Sequence, residues 1–325
     1  MKERFGRGAP FVLEERYMKL KSKSNKKRKK KAFSWKNMRF FLWISPWIIG
    51  FVLLTLLPLL GSFYISFTEW KIVSDPIWIG LENYKELFKD PIFLKSLKVT
   101  FTYCAITIPI SMILSFIVAM LLNGDLPYAS LLRTIYYLPC VVSSVAASLL
   151  WGWVFNYRFG LLNSILRIFG VQGPNWVADE KWALISLAFM SLWGVGGGII
   201  FYLAGLQAVP QHLHEAARMA GAGWWRRLFT ITIPSMSPIL WFSLLTNIIS
   251  GLQSFTSAYL MTSGGPNNAT MFYALYLYNN AFKYHKMGKA CAMAWILFVI
   301  IMILSAFVVK VTSPMVYYEN EGEDD

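Results

Sequence analysis

Long stretches without a charge dominate this chain. They run Phe40–Thr68, Val99–Gly124, Thr134–Tyr157, Trp182–His214, Leu228–Phe282 and Ala290–Val309. A helix needs ~20 mostly apolar residues to cross ~30 Å of hydrocarbon, so each stretch is long enough for a membrane helix. The fourth and fifth are too long for one helix each. The fourth is expected to end near Leu206, before Pro210, and the fifth to run from near Pro238 to near Met261. Beyond Met261 the cluster Ser263-Gly264-Gly265-Pro266-Asn267-Asn268 signals a loop. The pattern therefore predicts an all-α bundle of six membrane helices. No apolar stretch alternates with period two in the manner of a barrel strand.

Composition agrees. Of 325 residues, 56% are hydrophobic and only 15% charged, against roughly 25% charged in an ordinary soluble domain. A soluble fold of this length would leave much of that apolar surface wet. Only three cysteines occur, Cys104, Cys140 and Cys291, all in apolar stretches, so a disulfide scaffold is excluded.

Charge is concentrated at one end. Residues 2–39 hold fifteen Lys or Arg and three acids, most of the net +14 of the whole chain. Basic residues before a first apolar span hold that end on the cytoplasmic side and meet anionic lipid, a better account of the run Lys26–Lys31 than nucleic-acid binding. Phe40–Thr68 is too long for a signal peptide and lacks a small-residue cleavage site. We therefore expect a basic, disordered cytoplasmic tail over 1–39, a membrane domain over 40–311 and an acidic cytoplasmic tail over 312–325. Outer loops then fall at about 69–95, 158–181 and 262–287, and inner loops near 124–133 and 207–231.

The membrane part carries no ionisable residue well inside any expected span, which argues against a carrier driven by protons or sodium. No phosphate-cradling glycine loop and no metal-ligand spacing occurs; His212, His214 and His285 lie in loops. No catalytic nucleophile stands out. The chain reads as a passage powered from elsewhere, with a self-contained secondary carrier or channel as the alternative.

One motif is specific. Glu215-Ala216-Ala217 is followed after three residues by Gly221, and after nine more by Ile231-Thr232-Ile233-Pro234. Pro210 suits a helix start. The small residues Ala216, Ala217, Ala220 and Gly221 make a low surface that a partner can approach, Glu215 offers one charge, and Trp224, Trp225, Leu228 and Phe229 can sit at the bilayer interface. The segment resembles the "EAA" loop of binding-protein-dependent ABC importer permeases, E-A-A, three residues, G, nine residues, I-x-L-P. Ile233 stands for the usual Leu, and Ala220 stands where many sugar permeases carry Asp.

The resemblance covers roughly Phe40 to Val309. Ser62 to Trp70 with Gly80-Leu81-Glu82-Asn83-Tyr84, Arg133 with Tyr137-Leu138-Pro139, Gly160-Leu161-Leu162-Asn163, and Tyr259 to Pro266 are similar to segments of the maltose-type sugar permeases, more the first of the two permease partners than the second. The resemblance implies the type I ABC importer permease fold and a sugar or oligosaccharide as solute, although glycerol phosphate carriers share much of the pattern. It implies that this chain holds no cofactor, ATP and Mg being bound by a partner ATPase dimer, into which a short helix bearing Glu215, Ala216, Ala217 and Gly221 docks, with Ile231 and Pro234 completing the loop. A second homologous permease and an extracellular solute-binding protein are the other implied partners.

The solute path is expected on the fifth and fourth spans. Ser243, Asn247, Ser250 and Ser254 are spaced four, three and four, which makes one polar stripe at 100° per residue. Gly251 flanks it and Gln253 lies near its edge; in the family this helix lines the sugar cavity. Helix packing through small residues is the competing account. Trp193-Gly194-Val195-Gly196-Gly197-Gly198 should loosen or kink the fourth span, since Gly costs ~1 kcal/mol relative to Ala in a helix. Gly197 and Gly198 are expected to widen the path, or else to permit close helix contact.

Overall fold

The computed structural model describes residues 35–72, 74–124 and 127–312. The expected basic and acidic tails, apart from Trp35–Arg39 and Thr312, lie outside the described residues. Those residues divide after Ser62 into two units. The first contains helix α1 (Trp35–Phe51), with Pro46 inside it, a π-type turn at Val52–Leu56, and the start of helix α2 (Leu57–Ser66). Together these helices provide the apolar span Leu42–Ser66.

The second unit opens with a short antiparallel pair, β1 (Thr68–Glu69) with β2 (Ile77–Trp78), and helix α3 (Glu82–Lys89). Asn83 ties this loop together: its amide donates to the carbonyls of Ser66 and Thr68, both at 2.9 Å. The Tyr84 hydroxyl meets Ser66 Oγ at 2.8 Å. Gly80 turns the chain at φ +61°, a left-handed conformation that suits glycine.

Helix α4 (Pro91–Leu122) is the long axis of the unit. Its start is well specified. Asp90 Oδ1 accepts from the backbone N–H of Ile92 at 2.9 Å and of Phe93 at 3.4 Å, and Pro91 sits where no intrahelical N–H is needed. The other Asp90 oxygen, Oδ2, accepts from Tyr276 at 2.5 Å and from Lys289 at 2.9 Å. Burial would raise the Asp90 carboxyl; the hydrogen bonds from Tyr276 and Lys289 and from the Ile92 amide outweigh that and hold it below the usual carboxylate range.

The third, fourth and fifth spans are broken. Helix α5 (Ala129–Val141) meets α6 (Ser144–Val154) at 96°, α8 (Glu180–Leu192) meets α9 (Gly196–Ala208) at 46°, and the helical stretch α11 (Trp224–Ser235) meets α12 (Ser237–Leu252) at 66°. Between them lie α7 (Leu161–Ile168) and α10 (Gln211–Met219), and the unit ends on α14 (Met287–Thr312). Among the described residues, three helices are long and apolar enough to span, and each bent pair counted as one span gives six. The fourth-span bend falls on the glycine run, as expected. The third falls at Val142-Ser143, where Ser143 Oγ accepts from the Ala146 amide at 3.3 Å and starts the new helix. The fifth span begins at Trp224, earlier than the expected Pro238, because Ser237-Pro238 starts the second limb of a bent pair.

The expected third outer loop is more ordered than a solvated connection. Helix α13 (Tyr273–Tyr278) is sunk into the protein, with Phe272, Tyr273 and Leu275 buried. Its amide at Tyr273 donates to Thr100 Oγ1 at 2.8 Å, and the Tyr273 hydroxyl donates to the Met293 carbonyl at 2.7 Å. Two apolar cores result. One gathers Phe93, Tyr103, Leu187, Leu252, Phe272 and Met293; the other gathers Ala119, Leu122, Ile199, Tyr202, Leu206 and Met236. Both draw on α4, one toward each end, and polar side chains occupy the middle.

Candidate functional site: a coupling segment and a polar cavity

The segment between the fourth and fifth spans has a defined shape. Helix α10 starts just after Pro210, one residue later than a proline at the first helical position would place it. None of its residues is buried; Glu215 and Ala216 are exposed and Ala217 is half-buried. Its end is a two-bond glycine cap. The Ala222 amide donates to the Ala217 carbonyl at 2.9 Å, and the Gly221 amide to the Arg218 carbonyl at 3.0 Å, with Gly221 at φ +73°. The glycine is needed there because the left-handed turn closes the helix. Ala220 sits at the last half-helical position, and its amide bonds back to the Ala216 carbonyl at 3.0 Å.

The second half of the motif anchors the first. Ile231 lies in a π-type turn at Leu228–Thr232 and packs on the Ala119–Met236 core, where Leu228 and Thr232 are buried. Pro234 follows in the last turn before the 66° bend. Ile231 and Pro234 therefore belong to the fifth span and not to the loop. Trp224 and Trp225 stand edge to face with ring centroids 4.6 Å apart and stay mostly exposed. His214 is held below the ordinary histidine value by partial burial and by the neighbouring Arg227 and Arg218 cations, so it remains neutral beside two charges.

The polar stripe faces a cavity of about 220 Å³ between α4, α8, α9 and α12. Asn247, Ser250, Gly251, Ser254 and Gly198 line it. Ser243 lines it too, bonded to the Tyr202 hydroxyl at 2.6 Å. The Asn247 amide nitrogen donates to the Ser243 carbonyl at 2.7 Å and to Ser243 Oγ at 3.2 Å. A second cavity of about 320 Å³ lies toward the far end of α12, lined by Gln253, Ser254, Phe255, Ser144 and Ser148 among others. Gly197 lines neither cavity; a Cβ there would find only Cys140 Sγ, at 3.9 Å. Gly196 is the glycine of close helix contact, since a Cβ there would collide with the Tyr136 carbonyl oxygen of α5.

The opposite wall was not singled out from the sequence. Tyr103, Thr107, Ser111 and Ser115 of α4 all line the first cavity. Their spacing of four, four and four is a signal of the same kind as the stripe on the fifth span. Among the described residues, no group of three or more His, Cys, Asp or Glu side chains could hold a metal ion. Walls of hydroxyls, one amide and glycine backbone can hydrogen-bond a neutral polar solute.

These features define a class: a polytopic helical permease with an exposed, glycine-capped elbow and a polar cavity within the bundle. The chain belongs to the family of binding-protein-dependent transport system inner membrane components, whose model matches residues 88–314. It is 36% identical over 301 residues to the probable ABC transporter permease protein YesP of Bacillus subtilis, covering 91% of this chain and 97% of that one. It is 32% identical over 272 residues to the lactose transport system permease protein LacF of Rhizobium radiobacter, covering 82% of this chain and 91% of that one. The fold is similar to that of a bacterial alginate ABC transporter solved with a pentasaccharide-bound periplasmic protein, with a TM-score of 0.77 and 20% identity over 86% of this chain and 96% of that one. The chain is a maltose-type permease subunit of an ABC importer, a transport subunit in a multi-pass inner-membrane protein.

Proposed function

We propose that this permease passes a sugar or oligosaccharide across the cytoplasmic membrane through the cavity between α4 and α12, with both termini in the cytoplasm. Delivery falls to an extracellular solute-binding protein. A second, homologous permease completes the passage, and a cytoplasmic ATPase dimer holding ATP and Mg drives it; this chain binds neither. The observation that carries the reading is the joined pair of motif halves: an exposed, glycine-capped helix at Glu215–Gly221 continuous with a core anchor at Ile231. Motion imposed on the helix reaches the bent fifth span, which bears the polar stripe. The sugar assignment draws support from relatives named for lactose and for trehalose and maltose transport, and from a wall rich in hydroxyl groups and free of formal charge.

The test is the assembled complex in vesicles, loaded with candidate sugars and their binding protein. ATP-dependent uptake is expected, and Glu215→Ala should leave the fold intact while weakening ATPase docking or separating hydrolysis from uptake. Unchanged uptake together with unchanged co-purification of the ATPase would defeat the coupling role. Uptake by the isolated chain on an ion gradient would point to the secondary-carrier reading instead.

A further inference from the structure

The two cavities share three lining residues, Tyr103, Ser191 and Ser254. Tyr103 projects from α4, is only 5% exposed, and packs its ring on the fully buried Phe272 with centroids 4.7 Å apart. Ser191 and Ser254 stand with it on the wall common to both cavities. Both serines sit at breaks in helices. Ser191 lies in the last turn of α8, just before Trp193-Gly194-Val195 and the 46° bend; Ser254 lies just past the end of α12, where the helix lapses over Gln253–Phe255. A helix break inside a membrane domain is tolerated where it lines a cavity, and broken helices are where such domains bend.

We infer that Tyr103, Ser191 and Ser254 form a septum that closes the polar cavity near Asn247 from the cavity near Ser257, and that solute moves only when the helix breaks beside Ser191 and Ser254 carry those residues away from the tyrosine. The inference rests on the α4–α12 cavity being the solute path. The ring supplies the obstruction, through its packing on Phe272. The serines supply the movable side, because each lies at a break in a separate helix. Coupling to the ATPase follows from the same geometry: Ser254 ends the helix whose other end, through the 66° bend, carries Ile231.

The test uses the complete complex in vesicles without nucleotide, in a chain with Cys104→Ala, Cys140→Ser and Cys291→Ala. Ser250→Cys is placed in one cavity and Ser257→Cys in the other, and a membrane-impermeant maleimide is added to one face at a time. The face that labels Ser257→Cys should not label Ser250→Cys. Adding Tyr103→Ala should raise labelling of Ser250→Cys from that face at least tenfold, and Tyr103→Phe, which keeps the ring, should leave it low. Equal labelling of both sites from one face with Tyr103 intact overturns the septum, as does no rise with Tyr103→Ala or an equal rise with Tyr103→Phe. The labelling needs no solute, so its failure leaves the sugar reading standing, whereas absent ATP-driven uptake of sugars by the unmodified complex sinks that reading and not the septum.

Discussion

Gly221 offers the cleanest perturbation of the coupling segment. Its φ of +73° puts it in the left-handed region, and its amide and that of Ala222 close the end of α10. A Cβ added at Gly221 would meet nothing within 4 Å. Replacement by alanine therefore tests backbone strain alone, with no clash to relieve. An L-residue in this conformation costs roughly 1–2 kcal/mol. Where docking requires the closed helix end, that is about a 5–30-fold loss in the docking equilibrium. Asn tolerates the left-handed region better than other side chains, so the order of affinity should be Gly, then Asn, then Ala, with Val weakest because its β-branch adds further crowding. The measurement is the affinity of the purified ATPase for the solubilised permease pair across this series, with the melting temperature of the pair as a control. The loss should appear in docking while the melting temperature stays near that of the parent, because α10 is exposed along its length. Wild-type affinity in both Gly221→Ala and Gly221→Val would refute the reasoning. So would an Asn variant as poor as the Ala variant, since that would make the bare glycine surface, not the backbone, the feature that matters.

Other outcomes follow from the packed interior. Lys289→Met leaves the Asp90 carboxylate without its ammonium partner where the two side chains are only 14% and 12% exposed; stability should fall by about 3 kcal/mol, with partial recovery in the Asp90→Asn, Lys289→Met double variant, read by thermal unfolding in detergent. Because the Asp90 carboxyl is held below its usual range, the stability it contributes is fully present above about pH 4 and is lost as pH falls through the lower, folded value. The gap in melting temperature between wild type and Asp90→Asn should then hold from neutral pH downward and close only in that acid window. Gly198→Val places its Cβ 2.8 Å from Ser115 Oγ and 3.2 Å from Ser115 Cβ on the cavity wall, so uptake should drop severalfold; Gly197→Val meets only Cys140 Sγ at 3.9 Å and should transport nearly as wild type. Equal losses at the two positions in the vesicle uptake assay would count against the cavity wall being the cause.

The sequence pattern showed where the apolar stretches lie, which fold as three continuous spans and three bent pairs, and where the short helix of the Glu215 motif falls, because both are written in local runs: twenty apolar residues, or Glu215 to Gly221 with its spacing. It also showed which face of the fifth span is polar, since Asn247, Ser250 and Ser254 share one helical stripe and that stripe does line a cavity. Two things were hidden for one reason. The stripe Tyr103-Thr107-Ser111-Ser115 repeats every four residues in a span whose composition is otherwise apolar, and its meaning depends on α9 and α12 lying across from it. Likewise the loop 262–287 looks solvated by its Gly, Pro and Asn content, yet Phe272 and Tyr273 are buried because Thr100, 173 residues away from Tyr273 in the chain, supplies the partner for the Tyr273 amide. Contacts made at long range leave no local periodicity to read.

The glycine run of the fourth span shows how one local signal divides into separate roles once neighbours are present. Gly196 is buried against the Tyr136 carbonyl and fixes how closely α9 approaches α5; Gly198 faces Ser115 on the cavity wall; Gly197, between them, points where a side chain has room. Cys140 then fastens the break itself, its Sγ accepting from the Gly197 amide at 3.0 Å and donating to the Gly194 carbonyl at 3.3 Å. Those backbone groups lie at the bend, where a regular helix would have paired them internally. The thiol gives both groups a partner in place of the missing helical one. A bend held by one weak, long-range partner is also one that a modest displacement of α5 would release, and it lies three residues along the chain from Ser191.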